Sequence, residues 1–173
     1  FTTSYEMYNI KAPLKAGDVV EVPAGEYTLS YSVPPQEATY YVSANGSNDN
    51  DGSEAKPFKT IGGSLTKALA AAKANNYNYP NSTVYLKLLG TDGIAFSDVT
   101  GIDYDFTLNI SSKTSGGLLD NGAAGTSSFS GPVSFNNISI SQYYADSLYF
   151  GGDDFSIGKD VKIIHPGGSY PQT

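Results

Sequence analysis

The sequence predicts an all-β solenoid with one helix near its start, and three observations lead there. Short segments alternating apolar and polar residues recur along the chain, compact turn sequences separate them, and one stretch carries helical periodicity. Strands are read at Val84 to Leu89, Phe106 to Ser111, Val133 to Ser141, Leu148 to Phe150, Phe155 to Ile157 and Val161 to Ile164. In the clearest of them, Val84, Leu86 and Leu88 alternate with Tyr85 and Lys87, and Phe106, Leu108 and Ile110 alternate with Thr107 and Asn109. Each such strand has one face built for burial. Comparable strands return every roughly 20 to 30 residues, the interval of solenoid repeats. The repeat is degenerate, so periodicity alone does not select the kind of solenoid.

The turns fit the corners of a coil. Asp92-Gly93, Ser115-Gly116-Gly117, Asp120-Asn121-Gly122, Gly131-Pro132 and Gly151-Gly152-Asp153-Asp154 combine residues that accept left-handed or tightly bent backbone. Asn109, Asn121, Asn136 and Asn137 admit two readings: an asparagine ladder along the solenoid axis, or ordinary loop asparagines. The helix has its own signals. Pro57 biases Lys56 towards an extended conformation and leaves Phe58 as an anchor. Thr60 is the expected N-cap, and Ile61, Leu65, Ala68, Leu69 and Ala72 share one face, with the end at Asn75-Asn76. A solenoid leaves strand edges and apolar core uncovered at its ends, so a helix over the first coil has a clear physical role.

The stretch Thr39 to Ile61, TYYVSANGSNDNDGSEAKPFKTI, joins an aromatic strand, an Asn45-Gly46 turn, an acidic loop Asp49-Asn50-Asp51-Gly52 and a Lys56-Pro57-Phe58 entry into the helix. In that order it resembles the segment that opens many right-handed parallel β-helix proteins of the pectin-lyase-like class. The resemblance implies a right-handed parallel β-helix with an N-terminal capping α-helix. It covers this stretch strongly and the rest of the chain by pattern. The phrase Lys15 to Tyr27, KAGDVVEVPAGEY, also looks like the first-coil phrase of some members.

Residues 1–35 carry a separate pattern, Val19 to Val22, a Pro23-Ala24-Gly25 turn and Tyr27 to Tyr31, followed by the stiff connector Pro34-Pro35. They are read as a β-hairpin or linker segment, or as a strand beside the first coil. Residues 36–173 are read as the N-terminal part of a parallel β-helix domain. The part after the helix makes only about three or four coils, and no C-terminal cap is recognisable. The expectation is a piece of a larger chain.

Formal net charge is −7, and every one of the ten cationic side chains is a lysine. An acidic surface repels phosphate, which excludes nucleic-acid binding as the primary role. Without arginine no bidentate carboxylate or phosphate clamp can be built. The absence of cysteine removes disulfides and thiolate chemistry. No apolar run reaches the length of a membrane span. Composition and resemblance together imply a secreted or cell-surface bacterial protein.

Chemistry has few candidates. Relatives of this class include lyases that abstract a proton with a lysine or arginine base, often with calcium, and hydrolases with clustered aspartates. Asp153, Asp154 and Asp160 with Lys159 or Lys162 form the densest group, but adjacent strand residues face opposite ways, and a turn after Gly151-Gly152 accounts for them more simply. Asp103 and Asp105 would share a face, as a carboxylate pair or as a solvated edge. Catalytic residues therefore stay unassigned. No cofactor is expected; Asp49 and Asp51 precede Gly52 in a loop that invites calcium, although the EF-hand pattern fails because its final ligand position is Phe58. His165, the only histidine, lies beside Pro166-Gly167-Gly168, which makes it a poor member of any triad.

Tyrosine offers a flat apolar face with a polar tip, suited to sugar stacking. Tyr77 and Tyr79, beyond the helix, and Tyr143 and Tyr144 are the candidate glycan-binding residues; for Tyr77 and Tyr79 the competing reading is packing of the helix onto the first coil. The leading expectation is a non-catalytic module for adhesion or glycan binding, its partner a polysaccharide or host surface glycan. The alternative is the N-terminal part of a polysaccharide lyase or glycoside hydrolase whose active coils lie mostly outside these residues. A third class is a structural stalk. An enzyme should show a carboxylate or lysine cluster on one sheet face, a binder exposed aromatics there, and a stalk neither.

Overall fold

A computed structural model describes residues 36–75, 82–122, 126–142, 147–152 and 154–164, with the side chain of Asn75 not described. The chain divides into two compact units, Phe1–Ser32 and Val33–Thr173, and the described residues all belong to the second. Apolar and polar residues alternate in its longer strands, and the interior strands bury their apolar set. The chain order is β1 (Glu37–Val42), α1 (Ile61–Asn75), β2 (Thr83–Leu88), β3 (Gly93–Ile94), a short 3₁₀ turn (Ser97–Val99), β4 (Thr107–Ser112), β5 (Gly117–Asp120), β6 (Ser127–Phe129), β7 (Val133–Asn136), β8 (Ile138–Ser141), β9 (Leu148–Phe150), β10 (Phe155–Ile157) and β11 (Lys162–Ile164).

Three parallel sheets line the solenoid. One has the order β1-β2-β4-β7-β10, the second β11-β8-β5-β3, and the third pairs β6 with β9. From β2 onward consecutive strands fall in different sheets, and each strand pairs in parallel with its counterpart one coil away. This is the parallel β-helix with a capping helix that the sequence predicts. Register aligns the inward-facing residues into rows: Val84, Leu108, Val133 and Phe155 form one, and Tyr40, Leu86, Ile110, Phe135 and Ile157 another. Rows continue into β10 and β11, where Phe155, Ile157 and Ile163 are 41%, 49% and 64% exposed.

Val133 to Ser141, read from the sequence as one strand, is two. Asn137 adopts φ 49 between β7 and β8 and turns the chain from the first sheet to the second. The same corner is made by Gly90, Gly116 and Asp160, at φ 77, 89 and 57. Glycine and short polar side chains tolerate that left-handed conformation, which explains why so different a set of residues marks one structural position. The asparagine amides do not stack on one another among the described residues. Asn121 Oδ1 accepts from the backbone N–H groups of Phe96 and Ser97 at 2.6 and 2.8 Å, and Asn137 Nδ2 donates to the Thr114 carbonyl at 2.8 Å.

The β1 end is closed twice over. Along its outer edge, Tyr41 N–H donates to the Gly52 carbonyl at 2.8 Å, Phe58 N–H donates to Tyr41 at 2.9 Å, and Ser43 N–H donates to Phe58 at 2.9 Å. The edge strand thus has partners that another chain would otherwise supply. Helix α1 then buries Ile61, Leu65, Ala68 and Ala72 against the coil. Every backbone N–H of its start has an acceptor: Thr60 and Lys59 use Asn48 Oδ1, Ile61 the Ala95 carbonyl, Gly62 Asp98 Oδ1, and Gly63 the Thr60 hydroxyl. A Cβ at Gly62 or Gly63 would collide with Asp98 or with the Asn48 carboxamide, so the paired glycines follow from this close approach.

Candidate functional site: the outer face of the long sheet

Because β2 buries Val84, Leu86 and Leu88, it must present Tyr85 and Lys87 on the opposite face. The parallel register places these beside the outward residues of neighbouring strands. One outward row runs Thr39, Tyr85, Asn109, Ser134 and Ser156; the next runs Tyr41, Lys87, Ser111, which is itself buried, and Asn136. Tyr41 and Tyr85 are thus diagonal neighbours on adjacent strands, within reach of a single ligand. Both rings are half-buried.

Charged groups frame the rings. The Lys87 ammonium lies 5.7 Å from the centre of the Tyr85 ring and donates to the Ser111 hydroxyl at 2.8 Å. The Tyr85 hydroxyl donates to Glu37 Oε1 at 3.3 Å. Desolvation first, and then the Glu37 carboxylate, push the Tyr85 phenol above its ordinary value. The Lys113 ammonium sits 5.7 Å from the centre of the Tyr41 ring and forms an ion pair with Glu54. That hydrogen bond raises the lysine above its usual range. A ligand here meets two aromatic faces, each with a nearby ammonium, and a field of hydroxyl and amide groups extending over Asn109, Ser134 and Asn136.

Tyr77, Tyr79, Tyr143 and Tyr144 lie outside the described residues, as do Asp153 and His165. In the acidic loop the side chains alternate in role. Asn48 and Asn50 hold the loop down, Asn50 Nδ2 donating to the Pro57 carbonyl at 2.9 Å, while Asp49 and Asp51 are exposed. Asp51 Oδ1 accepts from Ser53 N–H at 2.9 Å, and its hydrogen bonds with Ser53 lower the carboxyl below its usual value. Among the described residues no three acidic or histidine side chains cluster as a metal site. Asp103 and Asp105 are exposed on either side of buried Tyr104, which matches the solvated edge. Asp154 is exposed, and Asp160 makes a corner beside Lys159.

Tyr41, Tyr85, Lys87 and Lys113 are not among the site candidates the sequence marks. The alternation in β2 did mark Tyr85 and Lys87 as outward. What it could not supply was the register that brings β1, more than a helix away in sequence, beside them. No family model, curated protein or solved structure matches this chain.

Proposed function

We propose that the chain is a pectin-lyase-like β-helix module of a secreted or cell-surface bacterial protein, and that it binds glycan on the outer face of its long sheet. The observation that carries this reading is the pair Tyr41 and Tyr85, side by side on a solvent-facing sheet and bordered by lysines. Sugar rings present flat C–H faces that stack on tyrosine, and their hydroxyls take the amide and hydroxyl groups of the adjoining rows. Outward-facing aromatics on a sheet, here half-buried, are the feature that separates a binder from a stalk. Among the described residues, no helix is long and apolar enough to cross a membrane.

A second reading, the N-terminal part of a polysaccharide lyase or glycoside hydrolase, draws on Lys87, a lysine on the same face held 2.8 Å from a serine hydroxyl. A glycan-array screen of the protein separates the two when it is run beside an assay for unsaturated-product absorbance on pectin, alginate and glycosaminoglycans. Retention of glycans without product supports the binding module. Product formation would replace it with the lyase, and silence in both would favour the stalk.

A further inference from the structure

We propose that a second copy of this chain covers the open end of the solenoid, the two copies meeting last coil to last coil across a two-fold axis. The terminal strands of all three sheets lie at that end: β10 ends the first, β11 the second and β9 the third. The large apolar side chains exposed among the described residues are Tyr149, Phe155, Ile157, Ile163 and Ile164, and all five belong to these strands. Three of them continue inward rows. Phe155 follows Val133, Ile157 follows Phe135 and Ile163 follows Ile140, and those three predecessors are at most 2% exposed. One face of the Phe155 ring stacks on Phe150, with centres 3.9 Å apart. The last coil thus repeats the apolar pattern of a coil-to-coil interface with only one side supplied, and its strands present free backbone edges.

Topology and charge select the occupant. The β1 end is closed, because the loop carrying Gly52 and Phe58 pairs with β1 and α1 covers the first coil, so a head-to-tail stack has no second surface. An end that pairs with itself gives a closed dimer. Two copies related in this way wind in opposite senses about the shared axis. Their facing strands therefore run antiparallel, a pairing slightly more stable per residue than the parallel one. Apolar rows meet apolar rows, and the free edges find partners. Charge permits the contact. From Asp153 to Ile164 two lysines stand against three aspartates, close to balance in a chain of formal net charge −7. Lys159, Asp160 and Lys162 are exposed, so both signs are available around the apolar centre. Two copies meet here with less repulsion than acidic surface elsewhere would impose.

The test is sedimentation velocity of the full chain over a wide range of concentration, beside hydrogen exchange at the two extremes. The expected result is a dimer whose fraction rises with concentration, with amides of β9, β10 and β11 gaining protection as it forms while those of β1 and α1 do not change. In the Ile157→Lys/Ile163→Lys variant dissociation should be favoured by about tenfold or more, since each new charge is buried without a partner or faces its copy. The Tyr41→Ala/Tyr85→Ala variant, altered on the outer face of the long sheet, should dimerise as the wild type does. A monomer at every concentration would overturn the proposal and assign the open end to another occupant, such as a further coil. Assemblies that grow beyond the dimer would overturn the two-fold arrangement, and a dimer whose protection falls outside the last coil would place the interface elsewhere. The exchange measurement needs only the wild-type chain, so it decides the matter even if the lysine variant fails to fold.

Discussion

Asn48 shows how much of this fold one side chain can organise. Its Oδ1 accepts from the backbone N–H groups of Lys59 and Thr60 at 3.0 and 3.1 Å, and its Nδ2 donates to the Thr60 hydroxyl at 3.0 Å. Each bond is worth about 1 kcal/mol net, so Asn48→Ala is expected to cost about 2–3 kcal/mol in urea unfolding, with no change in what the protein binds. Tyr104 is the second residue with a sharp expectation. It is buried, its hydroxyl donates to the Gly131 carbonyl at 3.1 Å, and burial pushes its phenol far above the ordinary range. A phenol that keeps its proton in the folded state contributes stability in full below the unfolded value of about 10, and loses it as pH rises beyond that. The urea midpoint should therefore fall from about pH 10 upward, and the Tyr104→Phe variant should lose the part of that fall which belongs to this group. At neutral pH that variant should cost about 1 kcal/mol for the missing hydrogen bond. At this scale the sequence was partly legible. Thr60 was identified as a cap and is one; the roles of Asn48 and Asp98 were hidden, because their partners lie across loops that only the folded chain brings together.

Among the elements, the helix was the most legible and the short strands the least. Helix α1 runs Ile61–Asn75 and buries the face its periodicity marks, because an amphipathic stripe with a cap is encoded within a few turns. The strands β3, β5 and β6 went unread, since they are two to four residues long; β3 and β5 also include glycine, and β5 aspartate, which are poor strand formers. Their strand geometry comes from parallel pairing with neighbouring coils rather than from local preference. The start of α1 depends on such a distant partner. Asp98, in the 3₁₀ turn Ser97–Val99, accepts from Gly62 N–H at 2.9 Å and from the Thr60 hydroxyl at 2.5 Å, placing a carboxylate at the positive end of the helix. Asp98→Ala is expected to destabilise the protein by about 1–2 kcal/mol, and Asp98→Asn by less, read from urea midpoints. Equal losses for the two variants would point to the charge, rather than the hydrogen-bonding oxygen, as the contribution that matters.

At the largest scale, the described residues join one continuous core to one patterned outer face. Phe96, Phe129, Phe135, Phe150 and Phe155 form a connected aromatic stack through the solenoid, with Phe135 fully buried and 5.8 to 6.2 Å from the centres of three of the others. Phe135→Ala should cost about 3–5 kcal/mol and lower the melting temperature without altering ligand preference. Solenoid character was legible in the sequence because inward rows need apolar residues at every coil. The candidate site was not, because an outward residue such as Tyr85 is defined as part of a site only by what register sets beside it. On the function proposed above, Tyr41 and Tyr85 form the stacking platform of a glycan-binding face. The most direct test is to titrate the best glycan from the array into the wild-type chain and into the Tyr41→Ala/Tyr85→Ala double variant, after circular dichroism has shown both to be folded. Loss of two buried aromatic contacts should weaken binding by about tenfold or more. An unchanged affinity would place the ligand elsewhere and rule out the two tyrosines as its platform.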